Sequence, residues 1–248
     1  GLVGSEMCIR DSPVAVYNHG TIILDNQAPS LTGMSLENFE ILLAGLVTTP
    51  SGFITLFPDY KGIGDPSFHP YIIAEPHTLS VVNMLRSLDQ LKREIDFLNP
   101  FQYNNQIFLL GYSDGGYATL ASQRGIELSY QNEFQITASF PMAGPYDLSG
   151  TMVDYFLSNP EYSQPFYVPY LLTSHLWYYE GVDVDFGQYF EPFWADTLAI
   201  LFDGTHLTVN GDVITKNFLY LNGSATNSGD IHTNGGNDGI AVIQNDTN

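Results

Sequence analysis

Residues 107–116 read Ile-Phe-Leu-Leu-Gly-Tyr-Ser-Asp-Gly-Gly, and this segment constrains the fold more than any other. Four apolar residues run straight into Gly-x-Ser-x-Gly, and the helix-compatible stretch Tyr117-Ala118-Thr119-Leu120-Ala121 follows. The order is strand, tight turn, helix, which is the setting of a nucleophile elbow. A serine hydroxyl attacks a carbonyl only when it projects from a sharp turn and a base takes its proton. Side chains two residues either side of Ser113 would collide in such a turn, and glycines stand there, at Gly111 and Gly115. A glycine-rich β–α turn with no chemistry satisfies the same five-residue pattern, so the rest of the chain has to decide between the two.

Three further apolar runs flank that segment. Val14–Tyr17 ends at Asn18-His19-Gly20-Thr21, Phe53–Phe57 is closed by Pro58, and Phe134–Phe140 ends at Pro141-Met142-Ala143-Gly144-Pro145. Helical patterns separate them. Ser35 is placed to cap a helix with apolar positions Leu36, Phe39, Leu43 and Leu46, ended by Thr49-Pro50-Ser51-Gly52. After a Gly- and Pro-rich loop from Asp59 to Pro76, Leu85, Leu88, Leu91, Ile95 and Leu98 form the stripe of a long helix, with Asp89 four residues before Arg93 and Asn99-Pro100 as its stop. A further helix is expected over roughly 115–128. Short apolar strands alternating with helices predict an α/β fold with a parallel sheet covered on both faces. Ligands then bind beyond the carboxyl ends of the strands, where His19, Asp59 and Ser113 gather.

Composition excludes several classes of partner. The chain has 248 residues with 44% hydrophobic and 14% charged side chains, enough for a large globular core. No apolar run approaches the roughly 20 residues that cross a bilayer. Net charge is −20, from 27 acidic against 7 basic residues, and beyond Arg124 the only basic side chain is Lys216. That argues against nucleic acid, which needs clustered Lys and Arg, and suits a secreted or periplasmic protein. One cysteine, Cys8, cannot form an internal disulfide.

The chain falls into four regions. Residues 1–12 resemble a translated sequencing adapter and stand outside the fold, taking Cys8 with them. Residues 13–150 form the α/β core. Residues 151–220 are dense in aromatics, among them Tyr155, Phe166, Tyr170, Trp177, Tyr189 and Trp194, and read as a helical cap. Most of those rings serve the cap's own core, and an aromatic cap over a serine site favours acyl chains. Residues 221–248 are a polar tail read as loop or disorder, in which Asn222-Gly-Ser and Asn245-Asp-Thr are chance glycosylation matches.

Five segments, taken in order, resemble an α/β-hydrolase of the secretory-lipase-like branch. Tyr17-Asn18-His19-Gly20-Thr21 is similar to that fold's oxyanion loop. Phe57-Pro58-Asp59-Tyr60-Lys61-Gly62-Ile63-Gly64-Asp65, with His69-Pro70-Tyr71, resembles its segment after the fourth strand. The elbow at 111–116, the stretch Pro141–Leu148 and the cap piece Leu201-Phe202-Asp203-Gly204-Thr205-His206 complete the set. The resemblance implies a serine esterase or lipase acting on a small ester or lipid. Ser113 would attack the carbonyl, and the N–H groups of Asp114 and Thr21 would hold the oxyanion, donors worth roughly 3–4 kcal/mol each. No metal or other cofactor is implied.

The family's order is serine, then acid, then histidine. After Asp203 no convincing pair of further strands follows, and Val213–Leu221 supplies one at most. The resemblance therefore implies a fragment, incomplete at both ends and lacking the strands that carry acid and base. A rival placement reads 197–202 as a strand, Asp203 as the acid and His232 as the base. A third reading is a native protein with no triad. His19 shapes the oxyanion loop, His69 and His77 are structural or rim residues, and His175 packs among cap aromatics. Glu180, Asp183 and Asp185 match no ligand spacing and read as a solvated acidic loop. A prolyl-oligopeptidase-type peptidase and a non-catalytic binding module on the same fold are the competing functions.

Overall fold

Val14, Ala15 and Val16 are successive residues with no exposed surface, so the strand that carries them needs cover on both of its faces. In the computed structural model, which describes residues 12–95, 103–158, 166–190, 192–202, 204, 219–221, 230–233 and 241–244, that strand is β1 (Ser12–Asn18). It lies between β2 (Ile54–Leu56) and β3 (Tyr103–Tyr112), and β4 (Ile136–Met142) pairs with β3. All three pairings are parallel, in the order β2-β1-β3-β4. The four strands expected from the apolar runs are these four. The register sets Asn18 beside Gly111 and Gly111 beside Pro141, so β1, β3 and β4 end together at their carboxyl edge.

The chain divides into two compact units. The first takes Gly1–Thr21, Pro29–Tyr60 and Ala74–Gly144, and holds this sheet. Its helices are the single turn α1 (Pro29–Thr32), α2 (Phe39–Thr48), α3 (Ala74–Ile95) and α4 (Asp114–Gly125). Val14, Val16, Ile107 and Leu109 share one sheet face and pack with Val81, Val82, Leu85 and Leu88 of α3 and with Ile126 and Phe134. Each such side chain, fully removed from water, stabilises by roughly 1.5–3 kcal/mol. Leu85 and Leu88 of the expected stripe are buried, but Leu91 is half exposed. Asp89 accepts a hydrogen bond from the Tyr103 hydroxyl, while Arg86, the neighbouring cation, forms a bidentate pair with Glu133 at 2.6 and 2.7 Å.

The helix expected after Ser35 starts later and turns the other way. Residues Leu36–Asn38 form a 3-10 turn, and Asn38 caps α2 by accepting the Ile41 N–H at 3.3 Å. Ile41, Gly45 and Thr48 face inward, whereas Leu36, Phe39, Leu43 and Leu46 are 51–83% exposed. The segment Phe-Glu-Ile-Leu-Leu-Ala-Gly-Leu-Val is apolar nearly all round, so two stripes at helical spacing were open to it.

The second unit takes Ile22–Ala28, Lys61–Ile73 and Pro145–Asn248. Its helices are α5 (Val153–Ser158), α6 (Tyr167–Glu180) and α7 (Pro192–Leu201). Tyr170 of α6 stacks on Tyr71 at 4.4 Å and on Phe202 at 4.8 Å, and its hydroxyl donates to the Ile22 carbonyl at 3.1 Å. Trp177 packs near Phe68 and Phe186. These rings are the unit's own core, and Tyr155, Tyr179 and Tyr189 are exposed. The 221–248 stretch departs from the loop expected of it. β5 (Leu219–Leu221) pairs parallel to β7 (Ala241–Gln244), and β6 (Asp230–Thr233) pairs antiparallel to β7. Residues 1–11 of the adapter-like segment 1–12 and both glycosylation matches lie outside the described residues, while its last residue, Ser12, opens β1 and so belongs to the fold.

The orientation of α2 gives a direct test. Ile41→Ala is expected to lower the unfolding free energy by about 2–4 kcal/mol and Leu43→Ala by about 0.5 kcal/mol or less. Urea midpoints check it, and equal losses at the two positions would contradict the orientation.

Candidate active site

Ser113 joins β3 to α4 with φ 58° and ψ −122°, a left-handed conformation for a non-glycine residue. A position of that kind costs of the order of 1–3 kcal/mol and persists only when its surroundings over-determine it. Here the Ser113 N–H donates to the Met142 carbonyl at 3.0 Å. The Ser113 carbonyl accepts the N–H groups of Gly116 at 2.9 Å and Tyr117 at 3.2 Å. The turn is crowded by backbone. A methyl group at Gly111 would run into the Gly115 carbonyl, and one at Gly115 into the carbonyls of Asn18 and His19. The expected collision positions are thus occupied by glycine because backbone already fills the space.

The loop after β1 lies against this turn. Asn18 Nδ2 donates to Thr119 Oγ1 of α4 at 2.9 Å, fully buried. A Cβ on Gly20 would sit 3.6 Å from the Tyr112 carbonyl. The structure therefore brings His19, Gly20 and the elbow together at one edge of the sheet. Asp114, directly after the serine, begins α4, where first-turn N–H groups have no partner within the helix. Thr21 follows Gly20 and is half-buried.

His19 is buried and stacked on Tyr60 at 4.1 Å. Its Nδ1 lies 2.7 Å from the Gly20 carbonyl and its Nε2 3.3 Å from the Asp59 carbonyl. Burial pushes its pKa down, against the Gly20 carbonyl bond and the charges of Asp114 and Glu40. A neutral ring carries one proton, and the shorter contact assigns it to Nδ1. Tyr60 donates its hydroxyl to the His19 carbonyl at 3.0 Å, and burial raises the phenol's pKa well above 10. His19 is thus a loop-shaping residue held on three sides.

Of the two readings of His77, structural or rim, its burial fits the structural one. It is 1% exposed, its Nε2 lies 3.4 Å from Asp114 Oδ1, and its ring meets Tyr60 and Tyr117 edge-on. Nothing in the sequence signalled this pair, since 37 positions separate its members (114 − 77). Glu40 was also missed. Its Oε1 accepts the Gly20 N–H at 2.9 Å and the Tyr17 hydroxyl at 3.0 Å.

In the second unit, His69 Nδ1 bonds the Lys61 carbonyl at 2.7 Å, and Ser174 donates to the His69 carbonyl at 2.9 Å. His175 is half-buried, and burial lowers its pKa. Glu180, Asp183 and Asp185 are exposed, and Asp185 caps a 3-10 turn by accepting the Gly187 N–H at 3.0 Å. The rival acid and base fare poorly. Residues 197–201, read as a strand, belong to helix α7, so Asp203 does not follow a strand. Asp203 itself lies outside the described residues. His232 sits mid-strand in β6, paired with Val242, rather than in a loop. Among the described residues no hydrogen bond joins the Ser113 hydroxyl to a histidine.

Two outcomes follow from this geometry. Gly115→Ala is expected to cost about 2–3 kcal/mol, because the carbonyls it meets are backbone and cannot swing away; an unchanged urea midpoint would contradict the packing. Stability is expected to fall as pH drops below about 6.5. His19 and His175 keep lowered pKa values when folded, so the unfolded chain binds more protons in that window. His19→Gln should flatten the fall between pH 7.5 and 5.5, and an unaltered slope would count against burial of a neutral ring.

Comparison with known proteins places this geometry. No family model matches the chain, and no curated protein does. Solved structures do match. A candidate hydrolase from Legionella pneumophila is 28% identical with a TM-score of 0.66, over 81% of this chain and 51% of its own. The rice cell wall degrading esterase LipA from Xanthomonas oryzae, in a ligand-bound form, is 25% identical with a TM-score of 0.63, over 82% of this chain and 52% of its own. The chain thus spans about half the length of the solved proteins it matches. They agree with the resemblance carried by the five sequence segments, and the chain belongs to the α/β-hydrolase superfamily.

Proposed function

We propose that this chain carries the nucleophile and oxyanion side of a serine carboxylesterase of the lipase type, acting on a small-molecule ester or lipid. The observation that carries the reading is Ser113, held at φ 58° and ψ −122° at the carboxyl edge of the sheet with the His19–Gly20 loop packed against its turn. The esterase among the structural relatives supports the ester over the amide.

In the proposed reaction Ser113 Oγ adds to the ester carbonyl and its proton passes to a base. The carbonyl oxygen takes up the negative charge, and the N–H groups of Asp114 and Thr21 stabilise it. Collapse expels the alcohol, which takes the proton back from the base, and leaves an acyl-enzyme on Ser113. Water then releases the acid by the same sequence. The acid and the base that serve Ser113 lie, in this reading, outside the described residues.

The test uses the full reading frame that contains this chain, assayed side by side on acyl esters and aminoacyl amides that release a chromophore. Ester turnover is expected to exceed amide turnover, and Ser113→Ala is expected to lower it by at least about 10³-fold. Ester turnover that survives Ser113→Ala sinks the nucleophile assignment, and preferential amide cleavage sinks the esterase.

A further inference from the structure

We infer that Glu40 is a positioning residue of the oxyanion loop, holding the Gly20 N–H and with it the His19–Gly20 peptide, so that Gly20 is fixed on its amino side while His19 fixes it on its carbonyl side. The inference rests on the esterase reading and deepens it. Glu40 lies in the first turn of α2, 20 positions from Gly20, and its Oε1 accepts two hydrogen bonds, one from the loop and one from the end of β1. One comes from the Gly20 N–H at 2.9 Å and the other from the Tyr17 hydroxyl at 3.0 Å. Its second oxygen lies close by as well, 3.1 Å from where a Cβ on Gly20 would stand. Burial, with the charge and hydrogen bond of Glu40, raises the Tyr17 pKa, so that side chain stays a hydroxyl donor across the working pH range.

Gly20 is therefore held at both ends. Its N–H goes to Glu40, and its carbonyl accepts the proton on His19 Nδ1 at 2.7 Å. A trans peptide is planar, and its C=O and N–H point in opposite directions. No peptide bond in the described chain is cis. Fixing the Gly20 carbonyl toward His19 consequently directs the Thr21 N–H the other way. Two side chains, one on each side of Gly20, thus set the aim of the next N–H along the chain. Glycine at position 20 would otherwise leave that peptide free to rotate. An oxyanion donor acts through its preorganised direction, and a misplacement of about 1 Å costs on the order of 10²-fold in rate.

Full-length protein with Ser113 intact is compared as Glu40→Asp and Glu40→Gln on a chromogenic acyl ester. Glu40→Asp keeps the charge and withdraws the acceptor by one methylene, so kcat is expected to fall about 10–100-fold while KM stays within about threefold. Glu40→Gln keeps a carbonyl oxygen at the same reach and is expected to recover most of that kcat. A Glu40→Asp kcat within about threefold of wild type, or a Glu40→Gln kcat as low as that of Glu40→Asp, overturns the assignment. Should Glu40→Asp fail to fold, Tyr17→Phe decides, because it removes one hydroxyl and loosens the same carboxylate. Its kcat should fall about 3–10-fold at unchanged KM, and a wild-type kcat there overturns the assignment. Ser113→Ala runs alongside. If it leaves turnover intact, the esterase reading itself fails; if it abolishes turnover while the Glu40 variants stay at wild-type kcat, only the role of Glu40 fails.

Discussion

Asn18 and Gly111 are register partners on adjacent parallel strands, and the close approach of backbone at that point governs the rest of the first unit. The strands end together, so the loop leaving β1 and the turn leaving β3 compete for the same space. Gly115 yields that space by having no side chain, and α4 starts against the Asn18 and His19 carbonyls. The buried Asn18–Thr119 hydrogen bond then ties β1 to α4. Ser113 can hold a left-handed backbone only because bonds to Met142, Gly116 and Tyr117 surround it.

Below the turn lies a set of buried polar groups: His19, Tyr60, His77 and Asp114. Low dielectric makes such a set costly if unpaired and rigid if paired. His19 stacks on Tyr60, whose hydroxyl donates to the His19 carbonyl, Tyr60 meets the His77 ring edge-on, and His77 Nε2 lies 3.4 Å from Asp114 Oδ1. Glu40 supports the same loop from α2. Each of these side chains acts on backbone or on a neighbour of the serine. In the proposed esterase these side chains would serve as a scaffold for N–H groups, as acyl transfer through an oxyanion requires.

The strands and the elbow were legible because short apolar runs and glycine spacing are local properties. The direction of α2 was not. Apolar residues surround that helix, so its period could not choose a face, and the sheet buried Ile41 rather than Leu43. Leu91 left the expected stripe of α3 for the same kind of reason, since the core beneath that helix extends from Val81 to Leu88. His77 and Glu40 were illegible because each meets its partner across a break in sequence of 20 positions or more. The helices after residue 151 were legible from an aromatic-rich stretch, but that 22–28 and 61–73 join them in the second unit, and which rings stack on Tyr170, was decided by packing.

The sequence by itself determined the alternation of strand and helix, the sharp turn at Ser113 and the need for glycine on either side of it. Those follow from side-chain volume and periodicity, which are written residue by residue. Only the tertiary structure decided that Asn18 sits beside Gly111, that His77 reaches Asp114, and that Glu40 grips Gly20 from another element. Such contacts depend on strand register and on which helix face turns inward. Both are set by the packing of the whole unit, because no local pattern stabilises one register or one face over the other.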